Sequence, residues 1–254
     1  MLLGGRENFN CKKDGSSAAV TDYVQDGLYL HLDGIENCGI GTHNASAKSW
    51  VDVSGNNKTA TFLNSTQGFV WGEDHLKIYG KTYKNILKIP GLSSMNNFTF
   101  EMVFQGHAMD AAGRLFDVEK YTNNLTTRRF TACAGLSFPL VLQICVTGNV
   151  FFSDVPQCYE MLSPMTLAIF PSASGSNITA ANAYVDGGKI KQSNTYSKGF
   201  STPSPYIDIA NRSTDSSQGL DMDLYSLRIY SKVLTDKEIA ANAAIDRKRF
   251  AFGD

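Results

Sequence analysis

Short runs in which apolar and polar residues alternate recur along this chain, and they set its class. Leu28, Leu30 and Leu32 alternate with Tyr29, His31 and Asp33, and Leu76 and Ile78 alternate with His75, Lys77 and Tyr79. Phe98, Phe100, Met102 and Phe104 share one face of another run, opposite Thr99, Glu101, Val103 and Gln105. A period of two sends successive side chains to opposite faces of an extended backbone, so each run predicts a strand with one buried face. Further strands are expected over 140–146, 165–170, 184–185, 206–209 and 224–230. Turn chemistry separates them. Residues 52–57 read Asp-Val-Ser-Gly-Asn-Asn, a loop of residues that tolerate tight or left-handed backbone. Asp186-Gly187-Gly188 predicts a hairpin turn between Tyr184-Val185 and Lys189-Ile190.

Many short strands with turns between them mean a sandwich or a barrel. A parallel α/β fold would need a helical pattern between strands, and none is found. One helix is signalled, at the C-terminal end. Thr235 and Glu238 have the T-x-x-E spacing of a capping box, in which each side chain satisfies a backbone N–H that the first helical turn leaves free. Leu234 before the cap and Ile239 after it are placed as a hydrophobic staple. The helix is expected to run on through Ala240, Ala241, Ala243 and Ala244 toward Phe250, on the outside of a sheet.

Composition narrows the partners rather than the fold. The 254 residues suffice for one large core, and 23 basic against 24 acidic side chains leave a net charge of −1. A nucleic acid or an anionic membrane attracted by charge is therefore not expected. No stretch approaches the ~20 apolar residues of a membrane helix, so no membrane insertion is expected. The five cysteines, Cys11, Cys38, Cys133, Cys145 and Cys158, are odd in number and include no C-x-x-C pair, which argues against a zinc site. Residues 1–20 read as a leading segment or linker and 21–254 as one domain, expected to belong with other domains of a larger exported or assembled protein.

Three segments carry a resemblance. The first is Asp26 to Gly34, followed by Ser49-Trp50-Val51-Asp52-Val53-Ser54-Gly55-Asn56-Asn57; the second is the Phe98 to Phe104 run; the third is Leu227-Arg228-Ile229-Tyr230, leading through Leu234 and Thr235 to Glu238-Ile239. Together they resemble the laminin-G-like domains of the concanavalin A-like lectin/glucanase superfamily: an opening strand into a W-x-D-x-S-G-N turn, a central F-T-F-E strand, and a closing strand with a capped helix. The resemblance implies an all-β, concanavalin A-like jelly-roll sandwich of two antiparallel sheets with a short C-terminal helix. It also implies a recognition domain, lectin-like and extracellular, on a cell surface or a virion, with carbohydrate as the expected partner.

Enzymatic rivals need paired acids. The related glucanases carry an E-x-D-x-E arrangement, with carboxylates about 5–5.5 Å apart in retaining enzymes, and this chain has no such motif. Glu101 stands alone on its strand, and no serine or cysteine next to His31, His43, His75 or His107 forms a nucleophile motif. A glycoside hydrolase on the same fold and a structural spacer remain the alternatives to a non-catalytic binding module. Calcium is the inorganic cofactor this chain could serve, through Asp33, Asp52, Asn56 and Asp223 at loops and strand ends. The same residue types equally bond their own backbone in Asp-x-Ser-Gly-Asn turns. A glycan needs an aromatic platform with polar groups aimed at hydroxyls. Trp71, flanked by Glu73 and Asp74, is the first candidate, with Tyr79, Tyr121 and Tyr196; Tyr83 and Tyr206 also fall beside turns. Trp50 is expected in the core.

Overall fold

The computed structural model describes residues 18–63, 69–91, 98–109, 112–118, 130–135, 141–146, 149–154, 165–174, 177–190, 198–199, 206–211 and 219–251. After a 3-10 turn at Val20–Asp22, the first strands are β1 (Leu28–Asp33), β2 (Ser49–Trp50), β3 (Ala60–Leu63), β4 (Phe69–Trp71), β5 (Leu76–Tyr79) and β6 (Ile86–Pro90). The middle of the chain forms β7 (Thr99–Met109), β8 (Ala112–Val118), β9 (Phe130–Gly135), β10 (Val141–Val146) and β11 (Asn149–Asp154). Then come β12 (Met165–Ser174), β13 (Asn177–Val185), β14 (Gly188–Ile190), β15 (Lys198–Gly199), β16 (Tyr206–Ile209), β17 (Leu220–Tyr230) and the helix α1 (Asp236–Phe250).

Among the described residues these strands make two antiparallel sheets. The first runs β14-β13-β12-β7-β17-β5-β4, with β1 also on β17 and β15 on β13; the second runs β11-β10-β9-β8-β16-β6-β3-β2. The architecture is an all-β sandwich with a C-terminal helix, as the alternation predicts. The Asp186-Gly187 turn joins β13 to β14 with φ of 51° and 82°, the left-handed pair that a two-residue hairpin of type I′ requires.

The core lies between the sheets. Phe100, Met102 and Phe104 of β7, Leu76 and Ile78 of β5, and Leu220, Met222, Leu224, Leu227 and Ile229 of β17 face Leu87, Ile89, Phe116, Ile207 and Ile209 of the second sheet. Phe100 and Phe116 meet across the gap with ring centroids 4.2 Å apart. The spacing from Leu224 to Leu227 is three rather than two because the pairing of β17 with β7 shifts register between Leu224 and Ser226. That bulge absorbs one residue and keeps both halves of the strand pointing their apolar side chains inward. Trp50 is fully buried, its indole N–H donating to the carbonyl of Asp33 at 3.0 Å.

The helix covers the outer face of the first sheet. Thr235 caps it as the sequence predicts: its hydroxyl accepts from the Glu238 N–H, and the Glu238 carboxylate accepts from the Thr235 N–H at 2.7 Å. Leu234 and Ile239 pack together with Ala168, Tyr184 and Tyr230. Beside the apolar Ala243 and Phe250, the buried helix face carries three polar residues: Asn242, Asp246 and Arg249. Their partners are polar too. Arg228, fully buried, donates from Nε to Glu101 at 2.9 Å and grips Asp246 with both terminal nitrogens at 2.8 and 2.7 Å. The Tyr23 ring stands 4.1 Å from that guanidinium, and its hydroxyl donates to Asp246 at 2.8 Å. Asn242 donates to Glu101 at 3.0 Å, and Arg249 forks onto Asp33 at 2.6 and 2.9 Å.

His31 lies against this network, edge-on to Tyr23, and is fully buried. Burial, and then the charges of Arg228 and Arg249, push its pKa well below the ordinary imidazole value. The unfolded chain therefore binds a proton that the folded chain refuses. Stability must fall as pH drops through the ordinary value, by at most about 1.4 kcal/mol per pH unit for this one proton. Glu101, whose pKa burial raises, acts with the opposite sign, from the ordinary carboxylate value upward. Chemical denaturation at about pH 7.5 and about pH 5 should show the loss in the parent, and His31→Gln should flatten the difference.

Candidate functional site

Because Leu220, Met222 and Leu224 point into the core, Asp221 and Asp223 point out from the same strand. The register then assembles a row on the outer face, beyond the end of α1: Gln105 of β7, Asp223 of β17, Lys77 of β5 and Val70 of β4. Beside it, Tyr79 is the partner of Asp221. Asp223 is the centre. His107 Nε2 lies 2.9 Å from its Oδ2, His75 Nε2 lies 3.8 Å from the same atom, and Lys77 Nζ lies 3.8 Å from Oδ1. The Asp223 side chain is only 9% exposed, yet its Oδ1 accepts no hydrogen bond among the described residues.

Two glycines make this geometry possible. A Cβ on Gly34 would stand 2.2 Å from the Asp74 carbonyl oxygen, so only glycine lets the end of β1 pass the Gly72–His75 turn. A Cβ on Gly72 would stand 2.4 Å from the His75 ring. His75 Nδ1 meets Asp74 Oδ1 at 2.9 Å, so its ring has a carboxylate at each nitrogen. The ring also packs on Tyr225, centroids 5.1 Å apart. Burial, with the carboxylates of Asp223 and Asp74 adding, pushes the Tyr225 phenol up to about 12.

Next to this cluster Asp221 shapes an aromatic edge. It accepts from the backbone N–H groups of Lys81 and Thr82 at 2.8 and 3.0 Å and from the Thr82 hydroxyl at 2.5 Å. That fixes the turn carrying Tyr83, which is exposed and meets Tyr79 edge-to-face at 5.6 Å. Tyr79 and Asp223 are diagonal cross-strand neighbours, about 7–8 Å apart by strand geometry. A single patch thus presents an aromatic pair, a recessed carboxylate, two imidazoles and an ammonium.

Several expected site residues stand elsewhere. Trp71 is a core residue and not a platform: it packs edge-on against Trp50, and its indole N–H donates to the Ala47 carbonyl at 3.0 Å. Glu73 is exposed and Asp74 is engaged with His75. Tyr121 and Tyr196 lie outside the described residues. The calcium set does not fit a cation as placed. Both Asp33 oxygens are held by Arg249, and the Asp52 oxygens accept from the N–H groups of His31, Ser54 and Lys58 and from the Ser54 hydroxyl. The Asn56 amide donates to the carbonyls of Leu28 and Tyr29, and Asp223 lies beside the Lys77 ammonium and the His107 ring. Among the described residues no group of three or more His, Cys, Asp or Glu side chains is placed to hold a metal ion. His75, Lys77, His107 and Tyr225 escape sequence reasoning because strand pairing, not spacing, joins them. The outward positions of β5 and β17 were legible, but not that the two strands are neighbours.

A sandwich of two antiparallel sheets with a capped helix over one of them defines the class, and solved structures resemble it in fold. One is the sialidase of Trypanosoma rangeli, solved as a covalent intermediate with 2,3-difluorosialic acid, at TM-score 0.62 and 13% identity, covering 87% of this chain and 33% of that one. Another is domain 4 of an extracellular GH43 arabinanase from Geobacillus stearothermophilus, in complex with arabinotriose, at TM-score 0.55 and 14% identity, covering 85% of this chain and 98% of that one. A third is botulinum neurotoxin type C, which depends on two ganglioside molecules to enter cells, at TM-score 0.58 and 15% identity over 87% of this chain and 51% of that one. This chain thus spans a third of the sialidase and about half of the toxin structure. At these identities the likeness is one of fold. No protein-family model matches the chain, and no curated protein matches it in sequence.

Proposed function

We propose that this domain is a non-catalytic carbohydrate-recognition module of the laminin-G-like kind, borne on an extracellular, cell-surface or virion protein, and that it binds glycan at the Asp223 patch. The observation that carries the reading is Oδ1 of Asp223, which accepts no hydrogen bond among the described residues and lies recessed beside the exposed Tyr83 and half-buried Tyr79. A sugar offers hydroxyl donors and a C–H face, and a carboxylate acceptor next to an aromatic edge complements both. Support comes from the arabinanase domain, which this chain matches over almost its whole length and which was solved with an oligosaccharide. The chain's lack of an E-x-D-x-E motif, and the Lys77 ammonium and His107 ring held against Asp223, favour binding over hydrolysis.

The test is a glycan array probed with the full chain, with and without calcium. A defined subset of glycans should be retained, and chelation should leave it unchanged, because the oxygens of Asp33 and Asp52 already have protein donors. Asp223→Asn and Tyr83→Ala should each weaken retention about tenfold, the scale of one lost charge-assisted hydrogen bond or one lost aromatic contact. An empty array, or retention undiminished in both variants, overturns the reading.

A further inference from the structure

The patch has a polarity, and it selects among sugars. The ammonium and an imidazole stand further out than the carboxylate between them: Lys77 is 36% exposed and His107 39%, whereas Asp223 is 9% exposed. A ligand approaching the face meets the ammonium and the imidazole first and the carboxylate last. The carboxylate is already matched by His107 at 2.9 Å and Lys77 at 3.8 Å, so its repulsion toward a second anion is partly cancelled. Acidic groups gather on the opposite side of His75, where Asp74 is bound to the ring and Glu73 is exposed. An anionic ligand group is therefore repelled from the Glu73–Asp74 end and drawn toward Lys77 and His107, while the Asp221 carboxylate is taken up by the N–H groups of Lys81 and Thr82.

We infer that the patch is built for an acidic glycan, one carrying a carboxylate or a sulfate beside free hydroxyls. The anionic group pairs with Lys77 Nζ and the His107 edge. A neighbouring hydroxyl donates to Asp223 Oδ1, and the sugar face rests on the Tyr79–Tyr83 pair. This rests on the reading of the patch as a glycan site and adds the class of glycan.

Matched ligands separate the two. The full chain is titrated with tri-galacturonate, with its methyl ester, which keeps the skeleton and removes the charge, and with a sulfated galactan beside its desulfated form. The acidic member of at least one pair should bind about tenfold more tightly than its neutral partner, one charge-assisted contact being of that size. Lys77→Ala should erase most of that preference, raised salt should reduce it, and Lys237→Ala on the exposed side of α1 should leave it intact. Which pair shows the preference tells carboxylate from sulfate. Equal or tighter binding of both neutral partners, or a preference that survives Lys77→Ala, overturns the acidic assignment and leaves carbohydrate recognition standing. No binding by any of the four, together with an empty array, overturns both.

Discussion

Arg228→Ala should cost about 3–5 kcal/mol of stability, the size expected when one partner is removed from a buried ion pair. The reason is geometric. One guanidinium donates to Oε2 of Glu101 on β7 and to both oxygens of Asp246 on α1, with no solvent access on either side. Without it, two carboxylates face each other in a closed layer under Tyr23 and must take up protons or let the helix lift. Arg228→Lys should recover little, since a single ammonium cannot fork onto Asp246 and still reach Glu101. Denaturant unfolding followed by far-ultraviolet circular dichroism measures both. A loss under about 1 kcal/mol for the alanine variant would mean that water replaces the guanidinium, and that the helix is not held down by charge.

The second large effect reverses what the sequence suggests. Trp71→Ala should lower stability by about 3–5 kcal/mol, the usual cost of emptying a large aromatic site in a core, and not act first on ligand. The indole fills the space beside Trp50 and Phe62 and satisfies the Ala47 carbonyl, so its removal leaves both a cavity and an unmet acceptor. The denaturation midpoint reports it directly. Retained stability with lost glycan binding would return Trp71 to the ligand surface and displace the assignment to Tyr79 and Tyr83.

How far the fold was legible follows from where apolar residues lie. The β7 run, the β1 run and the Asp186-Gly187 turn declared themselves because one face of each is oily or because the turn admits only certain residues. The capping box located the start of α1 to the residue. The face that helix buries was not legible, because Asn242, Asp246 and Arg249 read as solvent-exposed until Arg228, Glu101 and Asp33 are placed beneath them. The same blindness explains the site. In the sequence Asp223 stands just ahead of the apolar run at 224–230 and reads as a loop ligand for calcium, whereas β17 begins at Leu220 and its neighbours arrive from β5 and β7 through hydrogen-bonded register. Asp52 was legible in both of its readings, and its bonds to Ser54 and Lys58 decide for the turn.

Arg249 donates to the carbonyl of Ala18 at 2.5 Å as well as forking onto Asp33. The last turn of the helix is thereby buttoned to β1 and to the segment before the Val20–Asp22 turn, so it cannot fray without loosening both.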